Sequence, residues 1–381
     1  MADIRALFQE RFGGHPLVVR SPGRVNLIGE HTDYTEGFVL PAAIDRAIVL
    51  AVGRGAGRCC RLFAADLDDA VEVDLAALAH SEKGWPNYLL GVVDQLQRRE
   101  IELPGFDCAF GGDIPIGAGL SSSAALEAGL AFALNEIFGI GLERLALARL
   151  AQRAEHEFVG VRCGIMDQFV NLFGAPGHAL KLDCRSLGYE RVPFADPDLC
   201  IVLCDTGVRH ALAGSEYNLR RAQCEAGVAA LRAADPAIHS LRDVSSGQLV
   251  AQRGALDPVV YRRCHHVLSE NARLLAGCEE LRRGDVAAFA ARLWESHASL
   301  RDDYEVSCPE LDALVEIAAG VEGVLGARMM GGGFGGCTIN LVRQQAVPAL
   351  ETAVSQAYPR CTGRSARVFV THITGGTAIE A

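Results

Sequence analysis

Pro115-Ile-Gly-Ala-Gly-Leu-Ser-Ser-Ser-Ala-Ala-Leu126 is the stretch on which the reading of this chain turns. It follows a run of strand character, Phe106 to Phe110, and opens a strongly apolar helix expected over Ser121 to Phe138. Gly117 and Gly119 let the backbone turn tightly and approach a ligand. The three serines stand where helix caps stand, beside free N–H groups and the positive end of the helix dipole. Such a helix start suits a phosphate group. No lysine lies in the segment and no Gly-Lys-Ser/Thr follows, so it is not a Walker A loop. Taken alone, a plain glycine turn with serine caps accounts for it equally well.

Two further segments narrow the choice. Pro22-Gly-Arg-Val-Asn-Leu-Ile-Gly-Glu-His-Thr-Asp-Tyr34 gathers Arg24, Asn26, Glu30, His31, Asp33 and Tyr34. Carboxylates accept from hydroxyls and Arg or His donates to them, so the cluster suits a polyol. A charged surface turn is the plainer account. Met329-Met-Gly-Gly-Gly-Phe-Gly-Gly-Cys337 holds five glycines in six positions between apolar flanks. That run fits a backbone brought close to a ligand, or to the phosphate segment, better than a flexible hinge.

Two carboxylates complete the candidates. Asp167, in Cys163-Gly-Ile-Met-Asp-Gln168, is an acid set in an apolar stretch and requires a partner such as Arg24 or a ligand. Glu155 lies at the edge of the stripe Leu147, Leu150, Ala151, Ala154 and Phe158, on a helix expected over Leu142 to Phe158. It can therefore reach inward, although a solvated edge is the ordinary case.

The bulk properties bound the answer. The 381 residues are 50 % hydrophobic and 22 % charged, enough for a substantial core and a length suggesting two domains. The formal net charge of −11 disfavours nucleic acid and anionic membranes as partners. A bound nucleotide would then depend on local dipoles and a metal. The start of the chain has no signal-like apolar core, and no uncharged run approaches a membrane span. Thirteen cysteines, an odd number, read as reduced thiols of a cytoplasmic protein. Cys200 and Cys204 read as packing residues of a strand, and His265-His266 as surface residues of a helix.

Strand runs at Leu17–Arg20, Ala47–Val52, Cys59–Ala65 and Cys200–Cys204 give way after Gly214 to longer helices. Those are expected at Ser215–Ala233, Tyr261–Arg283, Asp285–Asp302 and Pro309–Ala319, with strands returning at Thr338–Val342 and Ala366–Val370. This is an α+β pattern without regular strand–helix alternation. The expected division is an N-terminal lobe over 1–204 and a C-terminal lobe over 205–381, with the last strand free to return to the first lobe.

Together, and in this order, the three segments resemble the GHMP kinase superfamily, and Gly23 to Tyr34 resembles the signature of its galactokinase family. Cys163–Gln168, Asp183–Leu187, Gly214–Asn218 and Glu295–Ser299 extend the likeness over nearly the whole chain. The resemblance implies a two-lobed fold, with a mixed N-terminal sheet and its helices, a C-terminal α/β lobe and the active site in the cleft. It implies ATP-dependent, Mg²⁺-assisted phosphorylation of galactose at its C1 hydroxyl.

Carried over residue by residue, it sets Gly117, Ala118, Gly119, Leu120, Ser121, Ser122 and Ser123 around the ATP phosphates. Ser123 and Glu155 become the magnesium ligands, with Ser122 beside them. Asp167 faces the sugar hydroxyl, and Arg24 lies between that hydroxyl and the γ-phosphate. Glu30, His31, Thr32, Asp33 and Tyr217 match sugar-binding positions, and Gly164 adds a backbone contact. Whether Asp167 is a true general base or only orients the hydroxyl stays open at this level. A relative acting on another sugar, or a sugar sensor without turnover, are the rival readings. The intact Ser123-Ala124-Ala125 speaks against a sensor, and the Glu30–Asp33 motif against the homoserine and mevalonate kinase branches. A monomer is the simpler expectation, with an oligomer left open.

Overall fold

The first strand outgrows its apolar run. Leu17–Arg20 reads as a strand by composition, yet the ladder continues to Asn26 because the long Pro41–Arg54 strand pairs with it residue by residue, Leu17 opposite Val52 and Asn26 opposite Pro41. Pairing carries Pro22, Gly23 and Arg24 into a sheet despite their low strand propensity, through a register shift between Pro22 and Arg24.

The computed structural model describes residues 3–115, 117–194, 196–208 and 213–380. The chain begins α1 (Ile4–Phe12), β1 (Leu17–Asn26), β2 (Phe38–Val39), β3 (Pro41–Arg54), β4 (Cys59–Ala64), β5 (Asp69–Asp74) and α2 (Pro86–Gln97). Next come β6 (Phe106–Gly112), α3 (Ser122–Phe138), α4 (Arg144–Ala154), α5 (Met166–Phe173), β7 (His178–Asp183) and β8 (Tyr189–Pro193). It continues with β9 (Leu199–Asp205), α6 (Ala213–Ala234), α7 (Ser246–Ala251), α8 (Pro258–Arg282), α9 (Val286–Asp302) and α10 (Pro309–Ala319). The last elements are β10 (Val324–Met329), β11 (Cys337–Arg343), α11 (Val347–Thr362), β12 (Arg367–Thr371) and β13 (Ala378–Ile379).

Among the described residues three sheets result: β13-β1-β3-β6-β4-β5, β10-β11-β9-β12 and the small β2-β7-β8. The α+β reading holds. The largest core packs the first sheet against α2, α3 and α4, with Leu50, Leu90, Leu130 and Leu150 all fully buried. In β9 the alternation of a strand decides the cysteines. Val202 and Cys204 face α10 and α11, while Ile201 and Leu203 face the other way, so Cys200 and Cys204 are packing residues of one face.

Strand β9 hydrogen-bonds to β11 and β12, although it precedes the expected junction at Asp205. We therefore propose the junction between Pro193 and Leu199. The last strand, β13, pairs with β1 and so stitches the end of the chain to the first sheet.

A buried arginine fastens the two halves. Arg328, at the end of β10, is fully buried. Its guanidinium donates to the carbonyls of Asn26, Leu27 and Met329, and to Glu30 Oε1 at 3.1 Å. From α8, the equally buried Glu270 accepts from the Gly29 N–H at 2.9 Å and from Ser296 at 2.8 Å. Burial alone would raise the Glu270 pKa, but Arg273, His266, Arg328 and the Gly29 N–H hold it down at about 2. His266, expected at the surface, is instead buried and donates Nε2–H to the Glu30 carbonyl. Its neighbour His265 is the exposed member of the pair. The difference arises because α8 turns its 266/270 face toward the sugar segment.

Removing one partner of a buried ion pair strands the other, at a cost of about 3–5 kcal/mol. Arg328→Met should lower unfolding stability by that order in urea titrations, with Glu30 left buried and unpaired. A midpoint within experimental scatter of the unsubstituted chain would overturn this role for Arg328.

Candidate active site

At the junction of the sugar segment and the phosphate segment lies a cavity of about 370 Å³. Its walls come from β1 and the loop after it, the 117–123 turn, the 155–167 segment, α6 and the glycine run. Arg24, Glu30, His31, Asp33, Gly117, Gly119, Leu120, Ser121, Ser122, Ser123, Glu155, Gly164, Asp167 and Tyr217 all line it. Residues as far apart in sequence as Arg24 and Gly332 thus meet around one space. Thr32 and Ala118 lie outside it. The Thr32 hydroxyl donates to the Gly29 and Phe38 carbonyls, shaping the loop, and Ala118 is buried beneath the turn.

The floor is an ion pair. Arg24 Nε and Nη2 donate to the two Asp167 oxygens at 2.8 and 2.9 Å, a bidentate geometry. Arg24 Nη1 donates to the Gly119 carbonyl, which locks the pair to the phosphate turn. Burial works against the Arg24 charge, yet Asp167 and Glu30 outweigh it and hold the guanidinium more firmly protonated than usual. Ser121 adds a third donor, its hydroxyl bonding Asp167 Oδ2.

That bond corrects the expected serine cap. Ser121 occupies the N-cap position of α3 in a left-handed conformation, φ 60°, and caps nothing. The first-turn N–H groups of α3 therefore lack a side-chain cap and stay available to an anion. Gly117 and Gly119, at φ 71° and 76°, form the turn that leads into them. The late glycine run lies against it: a Cβ on Gly336 would stand 3.3 Å from the Ala118 carbonyl oxygen, and one on Gly331 3.5 Å from that of Gly119.

The side formed by the Glu30–Tyr34 segment is held as tightly. A Cβ on Gly164 would fall 1.6 Å from Asp33 Oδ2, so only glycine leaves room for that carboxylate. Burial, with the nearby Asp167, pushes Asp33 up to about 7. Burial also lowers His31 to about 3, leaving a neutral imidazole. Its Nε2–H donates to the Gly332 carbonyl at 3.2 Å, and Nδ1 accepts from the Tyr34 hydroxyl at 2.8 Å. Tyr217 packs its ring 5.5 Å from His31 and 5.1 Å from Tyr34.

Glu155 turns inward because α4 ends in a π-helical turn over Glu155–Val159. Gln168 Nε2 donates to its Oε2 at 2.8 Å, and Cys163 Sγ lies 3.3 Å from the same oxygen. Burial, then the charge of Asp167, raises Glu155 to about 7, against hydrogen bonds from Cys163, Ser123 and Gln168. Behind it stands Glu127 of α3, fully buried and raised well above the carboxylate range by burial and by Glu155. Gln168 reaches Glu127 Oε2 as well, at 3.3 Å, while Glu127 Oε1 has no partner. Sequence reasoning passed over Glu127, although an acid inside Ala124-Ala-Leu-Glu-Ala-Gly129 carries the same signal that singled out Asp167.

Family models match for the galactokinase galactose-binding signature at residues 6–54, the GHMP kinase N-terminal domain at 87–175 and the GHMP kinase C-terminal domain at 278–360. A galactokinase of Roseiflexus sp. (strain RS-1) is 46 % identical over 98 % of this chain and 96 % of its own. That of Chloroflexus aggregans is 45 % identical over 100 % of this chain and 97 % of its own. Among solved structures, Lactococcus lactis galactokinase complexed with galactose superposes with a TM-score of 0.95 at 37 % identity, covering 99 % of this chain and 98 % of that one. A mevalonate kinase at 18 % identity and TM-score 0.65, covering 94 % of this chain and 99 % of that one, shares the fold. The chain belongs to the galactokinase family of the GHMP kinases.

Proposed function

We propose that this chain transfers the γ-phosphoryl group of ATP to the C1 hydroxyl of galactose, yielding galactose 1-phosphate and ADP. The observation that carries the reading is the Arg24–Asp167 pair, set where the sugar segment meets the phosphate turn. Family membership supports it, as does the galactose named in the Lactococcus lactis complex.

Phosphoryl transfer depends mainly on positioning and charge stabilisation. The N–H groups of the 117–123 turn and of α3 would hold the phosphates. Asp33, Glu30, His31 and Tyr217 would hold the sugar, with the backbone at Gly164 beside it. Of the roughly four lone-pair directions on a carboxylate, three donors occupy three on Asp167, which leaves one for a sugar hydroxyl. We infer that Asp167 orients that hydroxyl and takes its proton, while Arg24 stabilises charge on the γ-phosphate.

The donor set beside the turn fits magnesium. Glu155 and Ser123 offer hard oxygen ligands, and a cation beside Glu155 would offset the burial and the Asp167 charge that raise it. Bound Mg²⁺ would neutralise the β- and γ-phosphate oxygens. Glu127 and Gln168 would then fix the direction in which Glu155 points. We also infer a cytoplasmic location. Cys60, Cys108, Cys204, Cys224, Cys264 and Cys278 are buried thiols, which suits a reducing compartment, and no helix among the described residues is long and apolar enough to cross a membrane.

Loss of a general base slows turnover by about 10²–10⁴-fold. Asp167→Asn should lose turnover on that scale in a coupled ADP-release assay, while calorimetry still detects galactose and ATP binding. Wild-type-like turnover would sink the assignment. In the same assay galactose should outpace glucose, N-acetylgalactosamine and arabinose, and a faster rate on another sugar would move the error to the Glu30–Tyr34 pocket.

Glu155 also sets a pH dependence. Between its ordinary value of 4.5 and about 7 it is protonated in the folded chain and ionised in the unfolded one. The unfolded state binds fewer protons there, so stability falls as pH rises through that window. Without nucleotide or metal, Glu155→Gln should lose less melting temperature than the unsubstituted chain between about pH 5.5 and about 7.5. An equal loss in both would contradict the assignment.

A further inference from the structure

Behind the sugar pocket lies a second concavity of about 390 Å³ that the proposed reaction does not use. Its lining carries Arg149, Arg153, His156, Arg185 and Arg221, against one carboxylate, Asp33. In a chain of net charge −11, this is a local reversal of sign. Concave walls focus such a field and raise the local concentration of anions.

The arginines differ in how they are satisfied. Arg185 is paired with Glu36 and Asp243, and Arg221 with Glu225. Arg149 and Arg153, four residues apart on one face of α4, have no carboxylate partner among the described residues. Like charges at that spacing repel. Arg153 is offset by its place in the last turn of α4, where the helix dipole favours a cation, but Arg149 sits mid-helix without that compensation. His156 follows Arg149 by seven positions on the same face. Its Nε2–H donates to the Cys163 carbonyl, so the ring is fixed in the groove wall.

The wall between this groove and the sugar cavity is one layer thick. Asp33, Cys163 and Gly164 line both. Gly164 and Asp33 are already in tight contact, so a ligand pressing on one side bears on the other.

We propose that this groove is a second anion site, distinct from the phosphate turn, which takes a phosphate group either as a sugar phosphate or as the free ion. Its occupancy alters sugar binding through the Asp33–Gly164 wall. That last clause rests on reading the neighbouring cavity as the sugar site, whereas the anion site itself does not.

The test is calorimetry at low salt, with the phosphate turn saturated by a non-hydrolysable ATP analogue. Inorganic phosphate and galactose 1-phosphate are titrated into the unsubstituted chain and into Arg149→Gln/Arg153→Gln. Both residues are exposed, and kcat in the double variant should be unchanged. Phosphate should bind the unsubstituted chain and bind the double variant at least about tenfold more weakly, as loss of two guanidinium contacts requires. Binding of galactose 1-phosphate that is tighter, and not displaced by galactose, would assign the sugar phosphate as ligand. Equal affinities would assign the free ion. Equal phosphate affinity in variant and parent, or no binding at millimolar concentration, would overturn the site. Because the readout is binding, a chain that fails to phosphorylate galactose would be recognised separately, in the ADP-release assay.

Discussion

The fully buried guanidinium of Arg328 is the constraint on which the rest of the molecule depends. A charge in that position is tolerable only if its donors are satisfied, and its acceptors belong to both halves of the chain. Three are backbone carbonyls, of Asn26 and Leu27 at the end of β1 and of Met329 in β10. The fourth is Glu30, which also accepts from the Gly331 N–H at 2.8 Å. One side chain therefore sets the end of the first sheet, the sugar segment and the start of the glycine run in register. Glu270 and His266 brace the same segment from α8. The cavity exists because these contacts hold the Glu30–Tyr34 loop and the glycine run at a fixed separation.

Around that frame, the electrostatics work against the ligand the site is proposed to take. Glu30, Asp33, Glu155 and Asp167 line the cavity with Arg24 as the one guanidinium among its lining residues. The raised values of Asp33 and Glu155, about 7 in both, record this crowding together with burial. Nucleotide phosphates can be held there only by short-range donors. Uncapped N–H groups of α3 are the donors proposed for them, and the diversion of the Ser121 hydroxyl to Asp167 leaves those groups uncapped. Small residues fix the loops around the cavity, since Gly333 and Gly164 admit the Val306 carbonyl and the Asp33 carboxylate to distances that any Cβ would forbid.

Much of this was legible beforehand. The phosphate turn, the sugar motif and the glycine run each carry composition that core packing does not need, and Asp167 in its apolar setting demanded a partner. The structure supplies Arg24, 143 positions away. The helix spans that were read came within a few residues, because apolar periodicity marks them, whereas α2, α5 and α7 went unread. Less was legible where pairing overrides propensity, as in β1 beyond Arg20, β9 ahead of the expected junction, and β13 returning to β1.

Sequence alone therefore determined the chemistry on offer: which segments hold polar groups without a packing purpose, and in what order. Local periodicity and residue type suffice for that, since they report on nearest neighbours along the chain. Tertiary structure alone decided which buried charges answer one another. Arg328, Glu270 and His266 look like ordinary helix or strand residues in sequence, since nothing in their own segments distinguishes a solvated charge from a buried one. Only the packing of α8 and β10 against distant loops removes their water and compels each to find a partner.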